Sequence, residues 1–237
     1  MLRAAIDSVV FRIELEKLHD FTGVKVETLK HGVIRPTKEQ IGRYRAATNQ
    51  RPYNRVKRAT SVFLIEHERG QMAAAVQWQS SGYVDIAVHG LHQYDEVGNI
   101  TDGALQRVLM LFDLLKQLQT FIMVRVDYAI DRPKIPPRVL KWLSQKRHAK
   151  PVFSTTYFQP RKQRERENMR LKIMLYNKAQ KDKLLFPLMR LEFALKSKFW
   201  PKEVITVTQL NDLIETEGIK TIKRWTGENV EVQKLIA

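Results

Sequence analysis

Short runs of alternating apolar and polar residues recur along the chain, and this period-two pattern is typical of half-buried β-strands. It predicts strands at the following positions: 5–15, 24–30, 60–67, 71–79, 83–89, 120–131, 152–158, and two more within 171–196. Gly70 and the run 80–82 leave only short links between three consecutive strands. Short links between neighbouring strands indicate an antiparallel meander.

A second pattern, with apolar residues three and four positions apart, predicts a core helix over 100–119 that lies on the sheet. Weaker signals predict helices over 38–48, 137–147, 207–216 and 218–226, followed by a tail over 228–237. We therefore predict an α+β fold: a central antiparallel sheet with helices packed on one face. Residues 1–202 form the main domain in this prediction, and residues 203–237 form a short helical C-terminal extension.

The polar faces of two neighbouring strands carry the candidate chemistry. Tyr176 lies on the face opposite Leu171, Ile173 and Leu175, and Glu192 lies on the polar face of the next strand. A tyrosine on a strand is commonly a packing residue. It can also attack a phosphodiester and retain the 5′ phosphate, provided that a divalent cation or Lys/Arg offsets the developing charge.

Lys178 follows Tyr176 by two residues, so strand periodicity places it on the same face. In that position its ammonium group would lower the pKa of the phenol or contact the scissile phosphate.

Asp127 stands in the middle of an apolar strand, and an unpaired carboxylate there is costly to bury. Its partner is an arginine such as Arg125 or Arg190, or a divalent cation shared with Glu192. On the strand 83–89, Asp85 and His89 share one face and are further candidate ligands. His89 also fits the alternative of a surface or hydrogen-bonded histidine at a strand end.

Charge favours a polyanionic partner. The chain has 41 Lys and Arg against 25 Asp and Glu, hence a net charge of +16, and nucleic acid is the leading candidate. Two basic segments, over 50–58 and 160–170, are either solvated loops or phosphate contacts. The candidate DNA-binding residues, including one on a predicted strand, are Arg51, Arg55, Lys57, Arg58, Arg161, Lys162, Arg164, Arg166, Arg170 and Arg190.

Other classes of protein are disfavoured by what the sequence lacks. There are no cysteines, which excludes disulfides and thiolate zinc sites. No apolar run approaches the ~20 residues of a membrane-spanning helix. We therefore expect no membrane partner and a cytoplasmic location.

Three segments together resemble the replication initiators of filamentous phages, the gene-two endonuclease type, and the related transposase-like plasmid initiators. They are VRVDYAID at 124–131, IMLYNKAQKDK at 173–183 and MRLEFALKSKFWPK at 189–202, and the opening IDSVVFRIEL is similar to that family's first strand. The resemblance implies a nicking domain of the HUH type, metal-dependent cleavage of one strand at a replication origin, and a 5′-phosphotyrosine intermediate. It implies that Tyr176 is the nucleophile with Lys178 as its adjacent cation. It also implies that Asp127 and Glu192 are metal-site acids, with Asp85 or His89 completing the site.

The chain departs from the family pattern in ways that shape these expectations. It has no His-hydrophobic-His triplet, and a carboxylate-rich site favours Mg²⁺ or Mn²⁺ over zinc. It has no GxxxxGK[ST] phosphate loop, so we expect a host helicase and polymerase as partners beside the origin DNA, a hairpin or a single strand. The initiator would act as a monomer or dimer. The alternatives are a non-catalytic DNA-binding protein, for origins or transcription, and a related relaxase or transposase.

Overall fold

The two longest strands, β1 (Leu2–Glu14) and β5 (Thr120–Arg132), pair antiparallel at the centre of one large sheet. The structure, a computed structural model, describes residues 1–18, 35–48, 59–66, 70–78, 82–162 and 169–233. The other strands in these ranges are β2 (Ala59–Glu66), β3 (Met72–Trp78), β4 (Tyr83–His89), β6 (His148–Val152), β7 (Thr155–Gln159), β8 (Leu171–Asn177), β9 (Met189–Leu195), β10 (Ile205–Thr206) and β11 (Val230–Val232). The helices are α1 (Lys38–Thr48), α2 (Asp102–Leu118), α3 (Pro137–Lys146), α4 (Lys178–Asp182) and α5 (Val207–Thr226).

The sheet has the strand order β2-β3-β4-β1-β5-β9-β8-β7-β6, while β10 pairs with β5 and β11 pairs with β1. Each pair is antiparallel except β11 with β1, which is parallel. The predicted α+β class with a central antiparallel sheet is therefore confirmed. The predicted strand over 24–30 lies outside the described residues.

Most of the helical mass covers one face of this sheet. The main core joins apolar residues of the strands to those of α2, α3 and α5, for example Phe11, Leu111, Leu143, Phe193 and Ile214. We call this side the core face and the other side the polar face. Helix α1 departs from the prediction of helices on one face, because its Tyr44 packs on the other side of the sheet, in a separate cluster with Val10 and Ala87.

A bulge in β5 changes which residues face the core. Val10 pairs with Arg125 but Phe11 pairs with Met123, so Val124 is an extra residue in the ladder. Strict alternation from Val126 would turn Val124 toward the core, but the bulge reverses it, so Met123 and not Val124 enters the main core. After the bulge the predicted alternation holds, which leaves Asp127 on the polar face.

The C-terminal segment is part of the main domain. Instead of two helices there is one continuous helix, α5, which starts at a capping box between Thr206 and Gln209 and ends at Gly227 with a φ of 72°. Its Leu210 and Ile222 belong to the main core, and β11 replaces the predicted tail. The predicted division after residue 202 is therefore not a boundary in the packing.

Gly218 lies within α5 because the ring of Tyr128 occupies the space beside it. A Cβ at position 218 would lie 2.6 Å from Tyr128 Cε1. The ring cannot easily move, because the Tyr128 hydroxyl donates a hydrogen bond to the Ile214 carbonyl oxygen at 2.8 Å. The two-helix prediction failed at this glycine, which tertiary packing explains and helix propensity does not.

The substitution Gly218→Ala is expected to lower the free energy of unfolding by ~1–3 kcal/mol, although Gly→Ala within a helix ordinarily stabilises by ~1 kcal/mol. Gly42→Ala in α1 is the matched control, since a Cβ there meets nothing within 4 Å in the described part of the chain. The free energy of unfolding of that control should rise by ~0.5–1 kcal/mol. Urea denaturation measures both variants. A higher midpoint for Gly218→Ala would contradict the close approach of Tyr128.

Candidate active site

Charged and polar side chains of four adjacent strands meet on the polar face of the sheet. The register pairs Tyr176 with Arg190 across β8 and β9, and Ala129 with Glu192 across β5 and β9. Residues opposite one another in a ladder share a face. We call the resulting group the polar cluster; its members are Asp7, Arg125, Asp127, Asp131, Tyr176, Arg190 and Glu192.

Tyr176 and Glu192 form the chemical centre of the polar cluster. The Tyr176 hydroxyl donates a hydrogen bond to Glu192 Oε2 at 3.0 Å. Burial and the nearby Asp127 raise the pKa of Glu192 to about 7. Burial and Glu192 raise the pKa of Tyr176 well above its usual range, against the opposing effect of Arg190. At neutral pH the phenol is therefore protonated, and Glu192 is a carboxyl group able to accept its proton.

Asp127 is paired with an arginine on its own strand. Arg125 donates to the two carboxylate oxygens of Asp127, both at 2.7 Å. Burial nevertheless raises the pKa of Asp127. Of the two partners predicted for this carboxylate, the arginine Arg125 is the one that the geometry provides.

Arg190 connects three strands beneath Tyr176. Its side chain is 1% exposed and donates to Asp7 Oδ1 at 2.7 Å and to the two Asp131 oxygens at 2.7 and 2.6 Å. A further bond reaches the His92 carbonyl oxygen at 3.0 Å. Burial raises the pKa of Asp7, but Arg190 and Lys178 outweigh burial, so the net shift is downward. The sequence-based assignment of Arg190 to a DNA contact is corrected: it is a buried organising residue.

Lys178 is not a residue of strand β8, so strand periodicity does not place it, but its ammonium group still acts on Asp7 and Arg190 of the polar cluster. Strand β8 ends at Asn177, whose side chain accepts from the Gln180 amide at 2.9 Å and caps α4. Lys178 is buried in the first turn and pairs with Asp182 at 2.5 Å. The exposed cation beside the tyrosine is instead Lys181, whose Nζ lies 5.1 Å from the centre of the Tyr176 ring.

The four candidate metal ligands do not form one site. Asp85 holds Arg12 through both oxygens, at 2.6 and 3.1 Å, as Asp127 holds Arg125. His89 is half-buried, and desolvation of its ring lowers its pKa to about 4, so the imidazole is neutral; its Nδ1 has no hydrogen-bond partner among the described residues. That imidazole suits a ligand role, but two of the three acids are occupied by guanidinium groups. Across the described ranges no group of three or more His, Asp or Glu side chains could hold a metal ion. The residues, as they stand, do not fit the implied cation.

The candidate DNA contacts divide into two groups. Arg161, Lys162 and Arg170 are exposed, as a phosphate contact requires. The remaining ones lie outside the described residues: Arg51, Arg55, Lys57, Arg58, Arg164 and Arg166. No helix in the described ranges has the length and apolar character needed to cross a membrane.

Comparisons with known proteins give matches among solved structures alone. Models of protein families give no match to this chain, and curated proteins give none either. One similar solved structure is a rolling circle replication initiator protein from Geobacillus stearothermophilus, with 13% sequence identity and a TM-score of 0.36. The alignment covers 83% of this chain and 75% of that one.

Proposed function

We propose that this protein nicks one strand of DNA by transesterification, with Tyr176 as the nucleophile, and that it initiates rolling-circle replication at an origin. The observation that carries the proposal is the 3.0 Å hydrogen bond from the Tyr176 hydroxyl to Glu192. A phenol needs a base to become a nucleophile, and the pKa of Glu192, about 7, suits proton acceptance at neutral pH.

In the proposed reaction the Tyr176 oxygen attacks the phosphorus of the scissile phosphodiester while its proton passes to Glu192. The new bond joins the phenolic oxygen to phosphorus, and the bond from phosphorus to the 3′ oxygen breaks. The departing 3′ oxygen takes a proton from water and becomes a free 3′ hydroxyl, which can prime synthesis. The 5′ phosphate stays on Tyr176 as a phosphotyrosine ester. A 3′ hydroxyl can later attack this ester and rejoin the DNA strand without an outside energy source.

Cations around the tyrosine offset the charge of the attacked phosphate. Arg190 supplies the buried positive charge that acts on the Tyr176 hydroxyl. Lys181 is exposed above the ring and is placed to meet a phosphate arriving from solvent. Because the Tyr176 side chain is only 8% exposed, a phosphodiester reaches its hydroxyl after side chains such as Lys181 move aside.

The experiment is adduct formation. The protein is incubated with end-labelled single-stranded oligonucleotides and resolved on a denaturing gel, where a covalent complex migrates as one labelled band. Parallel reactions in Mn²⁺ and in EDTA test the Mg²⁺ or Mn²⁺ dependence that the sequence predicts. Equal amounts of adduct in both reactions would show that no divalent cation is needed and would still support Tyr176 as the nucleophile.

Glu192→Gln tests the proposed base. In the wild type the rate of adduct formation should rise with pH through about 7, because protonated Glu192 cannot accept the phenolic proton. The variant should react ~10²–10⁴-fold more slowly and lose this rise. Rates from single-turnover reactions across pH measure both effects. Glu231→Gln is the control, since Glu231 is an exposed acid paired with Arg3 at 3.3 Å. An unchanged rate and pH profile in Glu192→Gln would exclude Glu192 as the general base.

A second candidate is a non-catalytic DNA-binding protein, and the burial of Tyr176 favours it. In that case the arginine and carboxylate pairs of the polar cluster serve only to hold the strands together. This candidate predicts salt-sensitive DNA binding with no adduct under any condition. A relaxase or transposase would form the same adduct, and would differ from an initiator in accepting a transfer or transposon end in place of a replication origin.

A further inference from the structure

The hairpin formed by β6 and β7 lies at the outer edge of the sheet. Strand β6 pairs with β7, and in the described part of the chain it has no second neighbour. Four of its five residues are exposed, in contrast to the central strands. Lys150 and Pro151 on this strand are residues that discourage pairing with another strand. The hairpin is therefore anchored to the core through Phe158 of β7, while its outer strand and its turn project into solvent.

Phe153 at the turn of this hairpin has no role in packing. Its side chain is fully exposed, and its φ of 53° places a bulky residue in the left-handed region. That backbone conformation is disfavoured for an aromatic residue, and an exposed phenyl ring gains nothing from burial. A turn of this kind would be served better by Gly or Asn, so the aromatic ring requires an explanation other than folding.

The strand register places this turn beside Tyr176. Thr155 pairs directly with Tyr176, so Phe153, two residues earlier, lies at the same end of the sheet as the proposed nucleophile. On the same face, Tyr157 pairs with Met174 and also with Lys150. A row of side chains on the polar face thus runs outward from Tyr176 to the hairpin.

A second aromatic and two cations line a cavity along this row. Lys172 Nζ lies 5.0 Å from the centre of the Tyr157 ring. Both residues line a cavity of about 280 Å³ together with Lys150 and Met169. An aromatic surface with flanking ammonium groups is the arrangement that binds unpaired bases and their phosphates.

The charge of the surrounding chain points to the same ligand. From Arg132 to Lys162 there is no Asp or Glu. Over that span the basic residues are Arg132, Lys134, Arg138, Lys141, Lys146, Arg147, Lys150, Arg161 and Lys162. A projecting hairpin with no acidic residue complements a polyanion and not a mixed-charge protein surface.

We propose that the β6–β7 hairpin is a binding site for single-stranded DNA, in which Phe153 stacks on a base and Lys150 and Lys172 contact the phosphates on either side. The hairpin site rests on the proposed function for its role, because the strand that the hairpin holds would be the one delivered to Tyr176. Single strands are specified because the ring can stack only on a base that is unpaired or at a strand end.

The binding test is made in a Tyr176→Phe background, so that no cleavage step affects it. Phe153→Ser should weaken binding of a short oligonucleotide about 5- to 100-fold by fluorescence anisotropy, the range that base stacking supplies. Phe153→Trp should restore it. Quenching of a 2-aminopurine base in the oligonucleotide should be lost with Ser and kept with Trp, which a change in charge or fold would not produce.

Val204→Ser is the matched control, since Val204 is another exposed large apolar residue. It precedes β10, which pairs with the first residues of β5, whereas Tyr176 lies level with the last residues of β5. Val204→Ser should bind as the parent does. Equal affinity of Phe153→Ser and Val204→Ser, or the same loss on blunt duplex DNA as on a single strand, overturns the proposal. If the stacking effect is found but the wild type forms no adduct, the hairpin site stands and the nicking function fails.

Discussion

Replacing Tyr176 with Phe is expected to reduce covalent protein–DNA adduct by at least about 10³-fold while DNA binding is retained. The substitution removes only the hydroxyl that would attack phosphorus. It leaves the aromatic ring, which packs beneath Lys181, and the surrounding polar cluster in place. The adduct band on a denaturing gel and the affinity for an uncleaved oligonucleotide measure the two properties separately.

Tyr83→Phe is the control for that experiment, because Tyr83 is an exposed tyrosine of β4 that lies outside the polar cluster and outside the hairpin cavity. It should form adduct at the wild-type rate. Peptide mapping of the wild-type adduct should place the nucleotide on Tyr176. Adduct formation by Tyr176→Phe at more than a few per cent of wild type would assign the covalent bond to another residue and refute the mechanism.

The second large effect is expected at Arg190. Arg190→Leu should destabilise the fold by ~3–5 kcal/mol, since it leaves the buried carboxylates of Asp7 and Asp131 without their cation. Against a typical stability of about 5–15 kcal/mol, this loss is a large part of the whole. Arg138→Ala is the comparison, since Arg138 pairs with Glu228 at 2.6 Å on the surface. Loss of that pair should lower the free energy of unfolding by less than ~1 kcal/mol.

At acid pH the free energies of unfolding of the wild type and of Arg190→Leu should differ by less than they do at neutral pH. The pKa of Asp7 is lowered in the folded protein, so the stabilisation from its ion pair is present above the usual carboxylate pKa. It is lost as the pH falls through the lowered value, because protonated Asp7 no longer needs Arg190. Urea denaturation at neutral and acid pH measures the trend. A difference that stays constant or widens in acid would show that the ion pair is not its cause.

The face shared by Tyr176 and Glu192 was predictable because side-chain alternation is a local property of each strand. The sequence could also identify Asp127 as a buried acid in need of a partner. Arg190 could not be placed, since its partner Asp7 is 183 residues away and only the completed sheet brings them together. The same applies to Asp131, which no local pattern distinguishes from a solvated strand-end acid.

Two local errors have physical causes. Asn177 is a helix cap, and the helix-forming residues after it turned Lys178 off the strand, a signal that was present in the sequence. The predicted break between helices at residue 217 is absent, and the Tyr128 ring occupies the space beside Gly218 that a side chain would need. Strand β11 has only three residues, too few for a periodic pattern, and it forms because β1 offers it an edge.

The bond between Asp7 and Arg190 also determines when the protein acquires its chemistry during synthesis. The ribosome releases β1 early, but the Asp7 carboxylate on β1 cannot meet its partner until β9 has emerged with Arg190 and Glu192. Contacts between such distant segments form late and slow the folding of a β-rich chain. A nascent chain that already carries Tyr176 therefore has neither the base nor the buried cation that the proposed reaction needs. The proposed strand cleavage is consequently expected only of the folded protein and not of a chain still on the ribosome.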